Sequence, residues 1–171
     1  MGMDLKEFFE LFTVTPLVAD QWPRLRALRL AALQDTDAIH GDLVAEQNYT
    51  ESNWRELFGV QQWAALVHDG SDVGMLVVSK PPLDRYGDCW IKSWWIAPDF
   101  RGAGGSKTLL NWLDRYCVTQ QWRIQALGVF EANTDAIAAY KKLGFKSVGI
   151  RKPSSRANQF FIIMARELNF D

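Results

Sequence analysis

The sequence predicts a mixed α/β fold: a twisted sheet of about seven mostly antiparallel strands, flanked by helices. Three observations carry that prediction. Short apolar or β-branched runs between turn residues crowd the first half of the chain. A single β-α-β crossover comes late instead of repeating. One glycine-rich loop leads from a strand straight into a strongly amphipathic helix. No linker rich in proline, glycine or serine divides the 171 residues, so residues 1–171 are expected to form a single domain.

The elements follow in order. Leu11–Val18 reads as a first strand. Asp20 to Leu33 reads as a helix capped by Asp20, with Pro23 in its first turn. Leu25, Leu28 and Ala32 keep helical spacing, whereas Arg24, Arg26 and Arg29 break any strand alternation. Glu51–Leu57 is a shorter helix with Thr50 or Ser52 at its start. Gln62–His68 and Asp72–Ser79 form a hairpin around Asp69-Gly70-Ser71, and Cys89–Ile96 is a third strand that Pro98 terminates. From about Ser106 to Thr119, Leu109, Trp112, Leu113, Tyr116 and Cys117 mark one buried helical face. Gln125–Phe130 is a strand, and Thr134–Leu143 is a helix capped by Asn133 or Thr134 and stopped by Gly144. Lys146–Ile150 and Phe160–Arg166 complete the sheet.

Composition narrows the function. A net charge of −1 offers no global field for nucleic acid or for an anionic membrane. Residues 1–12 lack a basic region followed by an apolar run, and nothing approaches the ~18 apolar residues of a membrane span. A cytoplasmic protein with no metal site and two reduced thiols, Cys89 and Cys117, is the expectation.

The chemistry concentrates between Trp94 and Leu110. Amide groups at a helix N-terminus are unpaired and carry the positive end of the dipole, and glycines let the backbone close on an anion. Gly102-Ala103-Gly104-Gly105-Ser106 is therefore a candidate phosphate cradle, to which Arg101 and Lys107 would add charge. A P-loop also needs glycines where Arg101 and Ser106 stand. The dinucleotide fingerprint fails for want of a glycine three residues after Gly104, and this loop lies past the middle of the chain.

The run Ile96-Ala97-Pro98-Asp99-Phe100-Arg101-Gly102-Ala103-Gly104-Gly105-Ser106 resembles the acyl-CoA signature of the GCN5-related N-acetyltransferases, with Ser106 where glycine or alanine is usual. Val129 to Phe145, with Asn133 after a strand and Tyr140 on a helix closed by Gly144-Phe145, resembles the family's second signature. The two blocks cover 28 of the 171 residues, about a sixth of the chain. The resemblance implies the family's splayed sheet and transfer of an acetyl group from acetyl-CoA to a primary amine, by direct attack. It implies backbone donors at Trp95, Ile96 and Ala97, a pyrophosphate loop at 101–107, a polar contact from Asn133, and Tyr140 as the acid for the departing thiolate. A phenol suits that role because its pKa of about 10 lies near a thiol's. Read on their own, Tyr140 fits a core aromatic and Asn133 a helix cap.

No general base follows from the sequence: Asp88, Glu46, His40, Glu131 and water are all candidates. Cys117, on a buried face, is expected to be inert, while Cys89 is a candidate to face the cleft without a histidine beside it in sequence. Acids in Gln34–Gly59 (Asp35, Asp37, Asp42, Glu46, Glu51) suit a cationic acceptor, and Lys152 and Arg156 in 152–159 suit a carboxylate. Trp90, Trp94 and Trp95, among eight tryptophans, suggest an apolar floor. The acceptor is a small-molecule or peptide amine. The chain is read as a monomer or a homodimer, the latter through Phe160–Met164. The competing readings are an acetyl-CoA-binding sensor without turnover and an unrelated small nucleotide-binding protein that uses Gly102–Lys107.

Overall fold

The computed structural model describes residues 11–170. Its strands are β1 (Phe12–Pro16), β2 (Gln61–His68), β3 (Ser71–Ser79), β4 (Cys89–Ile96), β5 (Ile124–Phe130), β6 (Lys146–Pro153) and β7 (Phe160–Glu167). The helices are α1 (Trp22–Asp35), α2 (Leu43–Gln47), α3 (Glu51–Glu56), α4 (Gly105–Gln120) and α5 (Thr134–Lys142). Strand order is β1-β2-β3-β4-β5-β7-β6 in one seven-stranded sheet. The β4–β5 pair is parallel, and the β1–β2, β5–β7 and β6–β7 pairs are antiparallel.

The elements group into two compact units. The first gathers the described residues up to Val78 with Ser93–Leu113; the second gathers Ser79–Lys92 with the described residues from Asp114 onward.

In the first unit both sheet faces are buried. Trp63 and Ala65 of β2 point to one face, where Leu25, Leu28 and Ala32 of α1 and Trp54 of α3 cover them. Ala64 and Leu66 point to the other, beneath Leu109 and Trp112 of α4. Two buried faces explain why β2 and β3 read as continuous apolar runs and not as clean alternation. The β2–β3 turn puts Asp69 at φ 46° and Gly70 at φ 75°, the left-handed pair that a two-residue hairpin needs.

In the second unit β5 is the spine. Its ladder with β7 runs from Ile124↔Glu167 to Phe130↔Phe161, and Trp90, Ala126 and Ile163 form the core of one face. β6 slips register against β7 between Ser147 and Arg151, where Gly149 takes φ 77°.

Two expectations change, and a third is narrowed. A short helix, α2, lies between the two helices expected near the N-terminus; at five residues it is too short to show periodicity, and only its cap, Asp42, marks it. Asp20 does not cap α1. It lies in a 3₁₀ turn (Ala19–Gln21) and pairs with Arg55, 2.7 Å away. β7 is hydrogen-bonded on both sides, so a dimer through Phe160–Met164 would meet through side chains and not through a strand edge.

Candidate active site

The strand–loop–helix segment folds as its residues dictate. α4 begins at Gly105, and its first intrahelical bond is Thr108 N–H to the Gly104 carbonyl, 3.0 Å. The amides of Gly105, Ser106 and Lys107 thus precede the first turn's bonding and form the positive end of a 16-residue helix. Gly102 and Gly104 take φ 74° and 90°, where a Cβ would strain the backbone. Gly105 is needed for packing: a Cβ there would lie 2.6 Å from Leu66 Cδ2. Ser106 fits this geometry, since its own position carries no such constraint.

The Arg101 side chain does not reach into the loop. Its Nε donates to the Ile96 carbonyl at 2.9 Å, and its guanidinium pairs with Asp35 at the end of α1. Asp35 also accepts from Trp95 Nε1 at 2.9 Å. These bonds, Trp95's first and Arg101's next, hold the Asp35 carboxyl below the usual carboxylate range. Asp35, Trp95, Ile96 and Arg101 are thereby gathered at one place, with Arg101 bracing the end of β4. Lys107 is exposed.

Strand parity corrects the expected donors. Ala97 N–H is bonded to the Val73 carbonyl at 2.8 Å, so it is not available to a thioester. Alternate residues of a strand address the same neighbour, so Trp95 also faces β3, in keeping with its carbonyl lying 2.8 Å from the position of a Cβ on Gly74. The residues whose backbone faces away from β3 are Trp94 and Ile96. Sequence reasoning named Trp95 and Ala97 instead of Trp94, because a signature names residue types and not the side to which each amide points.

β4 has one irregular residue. Ser93 takes φ 51° inside the strand, a conformation that few residues other than glycine adopt. The β4–β5 ladder comprises Cys89↔Gln125, Trp90↔Ala126 and Ile91↔Leu127.

Tyr140 is fixed by the end of its helix. Gly144, at φ 98°, donates to the Lys141 carbonyl and Phe145 to the Tyr140 carbonyl, both at 3.0 Å, which is a Schellman motif. Its usual apolar contact is the Tyr140–Phe145 ring pair, with centroids 6.1 Å apart and edge-to-face. The Gly-Phe pair of the second signature therefore locks Tyr140 in position. Burial pushes the Tyr140 phenol up to about 12. Asn133 caps the same helix, its Oδ1 accepting from Ala136 N–H at 3.1 Å.

The candidate bases are mostly committed elsewhere. Asp88 accepts from the amides of Arg123 and Ile124, each at 2.8 Å, tying the turn before β4 to β5. Glu131 is forked to Arg151 at 2.9–3.1 Å. Glu46 is buried against Arg29. His40 is exposed, and its backbone carbonyl accepts from Arg29 at 3.3 Å.

Cys89 does not face a cleft. It is fully buried with its sulfur 3.8 Å from that of Cys117, and the neighbouring thiol and burial both push its pKa up, so it stays protonated and unreactive. Of the acids set aside for a cationic acceptor, Asp35, Asp42, Glu46 and Glu51 each have a structural partner. Lys152 lies 3.8 Å from Asp84, and Arg156 stacks 5.0 Å over Phe130. Among the described residues no helix is long and apolar enough to cross a membrane.

The sequence profile of the Acetyltransferase (GNAT) family matches residues 22–145. No curated protein sequence matches the chain. An acetyltransferase of the GNAT family from Streptococcus pneumoniae has the same fold, with a TM-score of 0.72 at 16% identity over 92% of this chain and 99% of that one. YncA from Salmonella typhimurium, with its cofactor acetyl-CoA, gives 0.70 at 14% identity over 94% and 95%. The ribosomal-protein-S18-alanine N-acetyltransferase from Escherichia coli gives 0.65 at 19% over 94% and 96%.

Proposed function

Because the chain belongs to the GNAT acetyltransferase family, we propose that it is a single-domain N-acetyltransferase that moves an acetyl group from acetyl-CoA to a primary amine by direct attack. One observation carries the cofactor assignment. The amides of Gly105, Ser106 and Lys107 open a 16-residue helix behind two glycines in the left-handed region, and that arrangement fits a pyrophosphate. Ile96 and Trp94 are the backbone donors for the acyl and pantetheine groups, and Asn133 keeps its amide nitrogen for a polar contact. Arg101 serves the site by fixing the end of β4 and the start of the loop.

Bound acetyl-CoA supplies the activated acetyl group, whose carbonyl carbon the amine nitrogen attacks as the CoA sulfur leaves and takes up a proton. Backbone donors at Ile96 and Trp94 stabilise the negative charge that develops on the carbonyl oxygen. Tyr140 holds the proton that the sulfur receives. Its raised pKa keeps it loaded at any physiological pH, and the burial that weakens it as an acid also raises the proton affinity of a thiolate formed beside it. With Asp88, Glu46 and Glu131 occupied structurally, His40 or water takes the proton that the acceptor amine loses.

The same occupied carboxylates favour, as a second reading, an acetyl-CoA-binding module without turnover. Release of free thiol from acetyl-CoA, measured against small amines, peptide N-termini and lysine side chains, separates the two. Acceptor-dependent release supports transfer. Saturable acetyl-CoA binding with no release above background for any amine sinks the enzyme and leaves the sensor.

A further inference from the structure

α1 carries a charge where its pattern calls for an apolar residue. Leu25, Leu28, Arg29 and Ala32 form its buried stripe, and Arg29 is 6% exposed. Glu46, the buried residue of α2, is 5% exposed and meets Arg29 as a fork. Arg29 Nε donates to Glu46 Oε2 at 3.0 Å, and Nη2 donates to Oε1. Nη2 also donates to the His40 carbonyl at 3.3 Å. The backbone closes over this fork at Gly41, where a Cβ would lie 2.5 Å from Arg29 Nη2 and 2.7 Å from Glu46 Oε1. A buried ion pair so fully enclosed is a poor source of stability compared with apolar packing, and Arg29 makes one further contact.

That contact is to β4. Arg29 Nη1 donates to Ser93 Oγ at 3.0 Å, and Ser93 is the residue at φ 51°. Ser93 immediately precedes Trp94, the first of the two residues whose amides face away from β3. The bond and the left-handed turn fall on the same short side chain, so the bond holds Ser93 where its backbone turns. Arg29 needs its planar fork to bond Glu46 and Ser93 at once; a lysine ammonium cannot reproduce both.

We propose that Arg29 and Glu46 are positioning residues that hold Ser93 in its turn, and so aim the Trp94 and Ile96 amides at the acyl carbonyl. This rests on the acetyltransferase reading above. It predicts a split between binding and turnover, because the loop that holds the pyrophosphate is untouched while the carbonyl donors shift.

The test uses Ser93→Ala, which deletes the hydroxyl and keeps the Cβ, and Arg29→Lys, which keeps the charge and loses the fork. Thermal unfolding first establishes that each variant folds. Calorimetry then gives affinities for CoA and for acetyl-CoA, and steady-state rates give kcat and KM. The expected result is CoA affinity within about twofold of wild type, loss of at least threefold in the preference for acetyl-CoA over CoA, and a kcat at least tenfold lower in both variants. Should Arg29→Lys fail to fold, Ser93→Ala decides alone, since no charge is exposed by it. A folded Ser93→Ala protein with wild-type kcat and wild-type acetyl-CoA preference overturns the proposal while leaving the acetyltransferase intact. A wild-type protein that neither binds nor uses acetyl-CoA overturns both.

Discussion

Replacing Tyr140 with phenylalanine removes one oxygen and leaves the helix end intact, because the contact with Phe145 is made by the ring. With the phenol pushed up to about 12, only about one molecule in 10⁴ is ionised at pH 8, so the acid is fully loaded in the wild type. General acids contribute roughly 10²–10⁴-fold, so kcat of Tyr140→Phe is expected to fall by about 10² or more, with acetyl-CoA affinity within about twofold. Stability supplies an independent check. The folded protein binds this proton more tightly than the unfolded chain, whose tyrosine ionises near ~10, so stability drops as pH rises from about 10 through 12. Two pKa units correspond to about 2.7 kcal/mol, and the partial exposure of Tyr140 reduces the expected loss to about 1–2 kcal/mol. Urea unfolding of both proteins at pH 8 and pH 11 measures it: the wild type should lose that much more than Tyr140→Phe. A Tyr140→Phe enzyme with kcat within threefold of wild type would refute the role of the hydroxyl.

Three further outcomes are expected. Asp88→Ala leaves the Arg123 and Ile124 amides without their acceptor; urea unfolding should show a loss of about 1–3 kcal/mol, and the pH–rate profile of the surviving enzyme should keep its shape. Asp35→Asn weakens the brace on Arg101. Because the Asp35 carboxyl is held below its ordinary value, its stabilising effect is present above about pH 4 and lost as pH falls through the depressed pKa. Acid unfolding curves of the two proteins should therefore converge at low pH, and a constant gap would contradict the pairing. Gly104→Ala forces a Cβ onto a φ of 90° at the cradle; the Kd for acetyl-CoA should rise roughly tenfold for the ~1–2 kcal/mol that a left-handed residue costs, measured by calorimetry.

The strands were legible because their boundaries are chemical. Pro98 ends β4, Asp69-Gly70 turns β2 into β3, and the Leu109–Trp112–Leu113 stripe can only be a buried helix face. The crossover was legible for the same reason, since Asn133 and Gly144 act as cap and stop. α2 was not: five residues carry no period, and Asp42 looks like any loop aspartate until its side chain is seen capping Ala45. The candidate site was legible in residue types and not in directions. Tyr140, Asn133 and the glycine loop follow from the two signatures, whereas the side of β4 on which each amide lies depends on its pairing with β3 and on the turn at Ser93. Arg101 read as a phosphate ligand because its charge is visible and its partner, Asp35, lies far away in sequence. Arg29 left a trace that can be recognised in retrospect: an arginine at a position where Leu25, Leu28 and Ala32 require burial needs a buried acid somewhere, and Glu46 is that acid.

In the proposed mechanism the loop before α4 holds the pyrophosphate of acetyl-CoA. Calorimetric titration of the wild-type protein with acetyl-CoA, with ATP and NAD as controls, tests it most directly. Saturable one-site binding of acetyl-CoA, and none of ATP or NAD at the same concentrations, is the expected result. No heat with acetyl-CoA into the millimolar range, or equal binding of all three, would contradict it.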